Sequence, residues 1–253
     1  MLNKLENIIQ EVGRQILKFK ENNIITKKII NNHTKTNIDL FADKILKKKL
    51  TSLKNILIIS EESFSSNLNR PEEYFIIDPV DGTLSLINGF KTWVTQVAYV
   101  KNNNVICAAI YEPEADNLYS GGLTNGIYLN RKEFNFKKNK PDTITFIDNL
   151  PIPNELNKQI MKNFTKTKYL ECGSLSLKIC KIIYGQANIF IKNVFVHDWD
   201  IAPTLPLAQY SKVDIFDINY NHYNLIGNYK KKGLIVCNNV LTDKIKKIEI
   251  RVF

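Results

Sequence analysis

No apolar run in this chain approaches the ~20 residues that a membrane-spanning helix needs. The opening residues, Met1-Leu2-Asn3-Lys4-Leu5-Glu6, lack the basic-then-apolar layout of a secretory signal. Cysteine is scarce: Cys107, Cys172, Cys180 and Cys237 show no paired spacing. Cys107 and Cys180 sit inside apolar runs, where a thiol behaves as a small hydrophobe. Neither a zinc site nor a disulfide framework follows from such positions, and a reducing compartment suits them. These absences lead us to expect a soluble, cytoplasmic protein. Acidic residues are also in deficit, with 35 Lys and Arg against 25 Asp and Glu and a formal net charge of +10. That balance invites a nucleic-acid reading. The lysines, however, are scattered along the chain, at Lys27-Lys28, Lys47-Lys48-Lys49, Lys137-Lys138 and Lys230-Lys231-Lys232. Runs of this kind are commonly solvated faces, so no dedicated nucleic-acid partner is expected. A basic exterior can instead raise the encounter rate with a small anionic substrate.

At 253 residues the chain is long enough for one compact unit or two closely packed halves. Leu2, Leu5, Ile8, Ile9, Val12, Ile16 and Leu17 form a helical stripe. The polar stretch Asn31–Asn37 reads as a loop, with His33 a plain surface residue. Asp43 is expected to open a second helix through Ile45, Leu46, Leu50 and Leu53, in a position the helix dipole favours. Trp93–Val100 and Val105–Tyr111 read as a hairpin about Lys101-Asn102-Asn103-Asn104. Leu118–Ser120 and Gly126–Leu129 read as short strands separated by Gly121-Gly122. The polar stretch Lys137–Pro141 marks a boundary, giving an α+β half over residues 1–140 and a second half over 141–253. That second half alternates: strands over Thr143–Ile147, Lys168–Leu170, Ala187–Ile191 and Gly233–Cys237, helices over Asn154–Phe164, Leu175–Tyr184 and Val240–Lys247. It reads as α/β.

The chemistry concentrates in Ile77-Asp78-Pro79-Val80-Asp81-Gly82-Thr83, with Ser60-Glu61-Glu62 shortly before it. Asn55–Ile59 and Tyr74–Ile77 are β-rich runs that stop at Ser60 and at Asp78, so two neighbouring strand ends can place Glu61, Asp78 and Asp81 around one point. Hard oxygen ligands gathered this way suit Mg²⁺, which takes few protein carboxylates and keeps positions for water and phosphate. Taken alone, Asp-Pro-x-Asp-Gly is also an ordinary turn sequence. A further acidic motif, Asp198-Trp199-Asp200-Ile201-Ala202, weighs against reading it only as a turn.

Glu61-Glu62, Asp78-Pro-Val-Asp81-Gly-Thr83 and Trp199-Asp200-x-Ala202 together resemble the signature motifs of the inositol monophosphatase superfamily. The likeness extends from the N-terminal helix to Gly126-Ile-Tyr-Leu-Asn130 and Gly233-Leu-Ile-Val. It implies a five-layered αβαβα sandwich, a Mg²⁺-dependent, lithium-sensitive phosphomonoesterase with two or three ions, and a homodimer as a common assembly. It also implies roles for individual residues. Glu61, Asp78, Asp81 and Asp200 match the metal-binding carboxylates, and Val80 the residue lending a backbone carbonyl. Thr83 and Asp43, together with Glu61, match the groups that activate the attacking water. Asp198 is then a cap or supporting group, and Trp199 a structural residue rather than a base-stacking platform.

The substrate is a small phosphorylated metabolite on this reading. Gly82 and Thr83 are expected to open a short helix whose free N–H groups face phosphate, and Ser174, in Gly173–Lys178, to lie on the substrate side at another helix start. Asp200 is expected to contact substrate as well as metal. Inositol-specific members carry a Glu shortly before the second motif; here Ile191-Lys192-Asn193-Val194 has no acid. A cation at Lys192 favours a second phosphate, which points to a 3′(2′),5′-bisphosphate nucleotidase acting on 3′-phosphoadenosine 5′-phosphate. The alternatives are an inositol-1-monophosphatase or related sugar phosphatase and, more distantly, a non-catalytic nucleic-acid binder on the same scaffold.

Overall fold

Apolar residues three and four apart drive one face of α1 (Leu2–Asn22) inward, and Leu5, Ile9, Val12 and Ile16 on it are fully buried. The computed structural model describes residues 1–30, 33–65, 69–135 and 141–248. A small hairpin of β1 (Lys27–Ile30) and β2 (His33–Thr36) follows. His33–Thr36 is therefore a strand and not part of a loop, while Asn31 and Asn32 lie outside the described residues. The second helix, α2 (Asn37–Leu53), starts well before Asp43. Its start is fixed by a capping box: Asp39 N–H donates to Thr36 Oγ1 at 3.3 Å, and Thr36 N–H donates to Asp39 Oδ2 at 2.7 Å. Asp43 sits in the second turn and caps nothing.

Seven strands in simple order make the first sheet: β3 (Leu57–Ser60), β4 (Glu73–Asp81), β5 (Val94–Lys101), β6 (Asn104–Glu112), β7 (Asn117–Gly122), β8 (Gly126–Leu129) and β9 (Lys132–Glu133). Only the β3–β4 pair in this sheet is parallel. The β5–β6 hairpin turns on Asn102 and Asn103, both at positive φ (51° and 60°), as asparagine allows. Gly121 and Gly122 do not separate two strands; they belong to β7, and residues 123–125 make the turn. A helix of five residues, α3 (Thr83–Ile87), leaves the end of β4 with Gly82 as its N-cap at φ +96°.

The second sheet has the order β11–β10–β12–β14–β13, from β10 (Ile144–Asp148), β11 (Thr167–Glu171), β12 (Ile189–His197), β13 (Val213–Phe216) and β14 (Lys230–Asn238). Its helices are α4 (Glu155–Met161), α5 (Leu175–Ile183), α6 (Asp198–Ile201), α7 (Leu205–Ser211) and α8 (Thr242–Lys246).

Strand alternation sorts the side chains into layers. Phe75, Ile77, Val97 and Ala109 face α1 and α2. Tyr74, Ile76, Ala98 and Ile110 face a central layer of α5 and α7, which also receives Phe190, Leu234 and Val236 from the second sheet. Phe146, Ile189, Ile191 and Ile235 face outward against Ile160 of α4 and Ile245 of α8. The result is the five-layered αβαβα sandwich. The first sheet is built from residues 57–133 and the second from 144–238, with one shared core between them. Most of the expected boundary, residues 137–140, lies outside the described residues.

Candidate active site

Strand register places the first two acids. β3 and β4 run parallel with Ser60 beside Ile77, so the next residues, Glu61 just past the end of β3 and Asp78 within β4, come side by side. Opposite β5, Asp78 pairs with Gln96 and Asp81 with Val94, so β4 carries an extra residue across Pro79 and Val80. A bulge of this kind re-aims the strand end, and Pro79 has no ladder N–H to lose. The Glu61 and Asp78 side chains share a hydrogen bond. Burial first, and then Glu61 and the charges of Asp81 and Asp200, hold the Asp78 carboxyl well above its usual range; Glu61 is raised by burial and by Asp200 and Glu62.

The central layer supplies the rest. Asp200 lies in the single turn α6, where its Oδ2 accepts the His197 N–H at 2.8 Å. Burial, with Asp81 beside it, pushes Asp200 up to about 7, against the pull of Lys192. Ser176 Oγ donates to the Asp200 carbonyl at 2.6 Å and Gln96 Nε2 to that of Trp199 at 3.0 Å, tying α6 to both α5 and the first sheet. Asp81 points to the start of α5. Its carboxylate accepts Ser174 Oγ at 2.7 Å, Leu175 N–H at 3.1 Å and Ser176 N–H at 2.7 Å, donors that the unpaired first turn of a helix offers. Ser174, expected on the substrate side, is fully buried and spends its hydroxyl on Asp81.

The expected pairing of Thr83 with Asp43 is not the one the structure shows. Thr83 Oγ1 lies 3.1 Å from Asp39 Oδ1 and 3.1 Å from the Val80 carbonyl oxygen. Its partner is Asp39, one helical turn before Asp43. Asp43 instead takes Lys47 Nζ at 2.6 Å and Ser60 Oγ at 2.5 Å, bracing the strand end that carries Glu61. Asp39 is fully buried, and burial raises its carboxyl despite the hydrogen bonds from Thr36 and Thr83.

Asp198 stands apart from this group. It is buried against Arg70, with Nη2 to Oδ2 at 2.5 Å, and accepts Tyr223 OH at 2.9 Å. The cap of α6 is His197, so Asp198 is a buried ion-pair residue and not a cap. Trp199 is buried, stacked with the His197 ring at 4.4 Å. Lys192 is half-buried on the same face of β12 as Phe190, and its charge acts on both Asp200 and Lys178.

Among the described residues, no three Asp, Glu, His or Cys side chains converge tightly enough to enclose an ion as they stand. Asp81 is engaged by α5 and Asp200 by His197. The donor set nonetheless fits a hard divalent cation. Every donor is oxygen, and the burial and mutual repulsion that raise Glu61, Asp78 and Asp200 are what a cation between them would offset.

Three residues at or beside the site escaped the sequence reading. Asp39 had a signal in Thr36-x-x-Asp39, a capping-box spacing. Lys178 had a fainter one, as the single cation on the inner face of an otherwise apolar stripe. Arg70 had none, because its partner lies 128 residues away in the chain.

Comparison with known proteins gives the family. The model of the inositol monophosphatase family matches residues 3–248. A 3′(2′),5′-bisphosphate nucleotidase CysQ from Buchnera aphidicola subsp. Acyrthosiphon pisum is 29% identical over 239 residues, covering 87% of this chain and 88% of its own. Its namesake from Haemophilus influenzae is 26% identical over 231 residues, covering 87% and 85%. Inositol monophosphatase II from Staphylococcus aureus MSSA476 superimposes with a TM-score of 0.81 at 17% identity, over 98% of this chain and 95% of that one. Matching over nearly its whole length, and holding the acidic motifs at adjoining strand and helix ends, the chain is a phosphatase of the inositol monophosphatase family.

Proposed function

We propose that this phosphatase is a Mg²⁺-dependent phosphomonoesterase that removes the 3′-phosphate from a 3′-phosphoadenosine 5′-phosphate-type nucleotide. Lys192 carries the substrate part of this reading. Its positive charge acts on Asp200 from a β12 segment, Ile191–Val194, that has no acid to receive sugar hydroxyls. A cation there suits a second phosphate group. The names of the two curated relatives, both bisphosphate nucleotidases, point the same way.

Glu61, Asp78, Asp81 and Asp200, with the Val80 carbonyl, would hold the metal, which supplies an acidified water and positive charge at the leaving oxygen. Asp39 orients Thr83: by accepting the hydroxyl proton it leaves the Thr83 oxygen free to accept one from an attacking water. Gly82 packs closely on the neighbouring backbone, where a Cβ would lie 3.2 Å from the Thr92 carbonyl and 3.3 Å from Ser174. Lithium inhibition, a cytoplasmic location and a homodimer belong to the same reading.

Purified protein assayed with Mg²⁺ on 3′-phosphoadenosine 5′-phosphate, inositol 1-phosphate and fructose 1,6-bisphosphate tests it. The bisphosphate nucleotide should give the highest kcat/KM, and Lys192→Met should raise KM for it while leaving that for inositol 1-phosphate unchanged. A large preference for inositol 1-phosphate would overturn the nucleotide assignment and leave the phosphatase chemistry intact.

A further inference from the structure

Among the described residues, Lys178 is the only buried lysine. It lies in the second turn of α5 with Leu177, Ile179, Cys180, Ile182 and Ile183, all fully buried, around it. Burial pushes its ammonium down to about 8. Its Nζ donates to the Gly173 carbonyl at 3.0 Å and lies 5.0 Å above the Phe190 ring. One carbonyl and one ring compensate a buried ammonium poorly, and a methionine of similar shape would fit this stripe at lower cost. Fold stability therefore does not account for the lysine.

What Lys178 holds is more informative. The peptide between Gly173 and Ser174 is pinned at both ends, its carbonyl by Lys178 and its N–H by the Thr92 carbonyl at 2.9 Å. The preceding Gly173 N–H donates to Thr92 Oγ1 at 2.9 Å. There is no slack at this point: a Cβ on Gly173 would fall 1.6 Å from Ser85 Oγ. From the next three residues, Ser174 Oγ, Leu175 N–H and Ser176 N–H all donate to Asp81.

We infer that Lys178 is a positioning residue for Asp81, fixing the Gly173–Ser174 peptide so that the start of α5 aims that carboxylate into the site. This rests on the reading of Asp81 as a metal-holding group. Removing a support of this kind characteristically costs about 10- to 100-fold in metal affinity or activity.

Lys178→Met and Lys178→Gln test the assignment, with Mg²⁺ alone as the probe. In the parent protein Tm should rise with added Mg²⁺, with no substrate present. Lys178→Met should have a metal-free Tm at or above the parent, yet need about tenfold more Mg²⁺ for half of the shift. Its kcat should fall by a similar factor with KM for the nucleotide unchanged. Lys178→Gln, which keeps a neutral donor for Gly173, should recover part of both losses. A folded Lys178→Met with parental Mg²⁺ response and kcat overturns the inference, as does a Gln variant no better than Met. Failure of Lys178→Met to fold overturns it too, because the lysine would then be a structural necessity. Absence of any Mg²⁺ shift in the parent would instead refute the metal reading itself.

Discussion

Asp198 and Asp200 are separated by one residue and by an entire role, and substituting each in turn exposes the difference. Asp198 is completely buried and Arg70 only 9% exposed, their charges meet at 2.5 Å, and the Arg70 guanidinium lies 3.9 Å from the Tyr229 ring centroid. Asp198→Ala leaves that guanidinium without a counter-charge and Tyr223 without its acceptor. Breaking a buried pair from one side costs about 3–5 kcal/mol. For a chain of this length each kcal/mol is about 2–4 °C, so Tm should fall by roughly 6–20 °C. Replacing both partners, as Arg70→Met with Asp198→Leu, should recover most of the loss. Burial already holds the Asp198 carboxyl above its ordinary range against the pull of Arg70, so on the aspartate's side attraction does not fully offset desolvation, although the Arg70 guanidinium is itself held above its ordinary range. Urea and thermal unfolding give the stabilities, and kcat measured well below Tm gives the chemistry. Asp198→Ala should keep kcat within a few-fold, whereas Asp200→Asn should abolish turnover without lowering Tm. If Asp198→Ala keeps its Tm yet abolishes turnover, the two roles have been assigned the wrong way round.

Asp78→Asn should lose nearly all phosphate release while staying folded, and its metal-free Tm should not fall, because one of the mutually repelling carboxyls is gone. Asp39→Asn should lower kcat by about 10²-fold, as loss of a general-base partner does, while Asp43→Asn should leave kcat within a few-fold and lower Tm slightly through Ser60 and Lys47. In EDTA, Asp200 should make stability pH-dependent: its folded value near 7 lies above the ordinary 3.8, so its contribution is intact below about 3.8 and lost as pH rises through 7. The full effect is about 4 kcal/mol at most, and urea unfolding should show Asp200→Asn gaining on the parent at pH 7.5 far more than at pH 4. Gly82→Ala, forced to hold φ at +96° with the Thr92 carbonyl 3.2 Å from its new Cβ, should cost about 1–2 kcal/mol by the same unfolding assay.

Strand ends were the most legible part of the sequence. Apolar β-rich runs lead up to the first acids: β3 stops at Ser60, β4 carries Asp78 within it and ends at Asp81, and parallel register sets Glu61 beside Asp78. The helical stripes of α1 and α5 and the Asn102-Asn103 hairpin were readable for the same local reason. Asp39 was passed over in favour of Asp43, one turn later on the same helix face, because apolar periodicity does not distinguish two acids in the same phase; the Thr36 cap does. Ser174 was placed on the substrate side because a serine at a helix start reads as an anion contact. Only the tertiary packing shows that the anion is Asp81 of the first sheet. β13 was passed over because Val213–Phe216 is short and interrupted by Asp214.

The bonds from α5 to Asp81 have a consequence for how the enzyme comes into being. Asp81 ends the fourth strand of the chain, while its three donors arrive nearly a hundred residues later. As the protein emerges from a ribosome, the early acids exist for some time without the segment that restrains them. The restraint on Asp81 can therefore form only once α5 has been made and has docked on the first sheet. A half-made molecule already has its early aspartates but not the α5 donors that restrain Asp81.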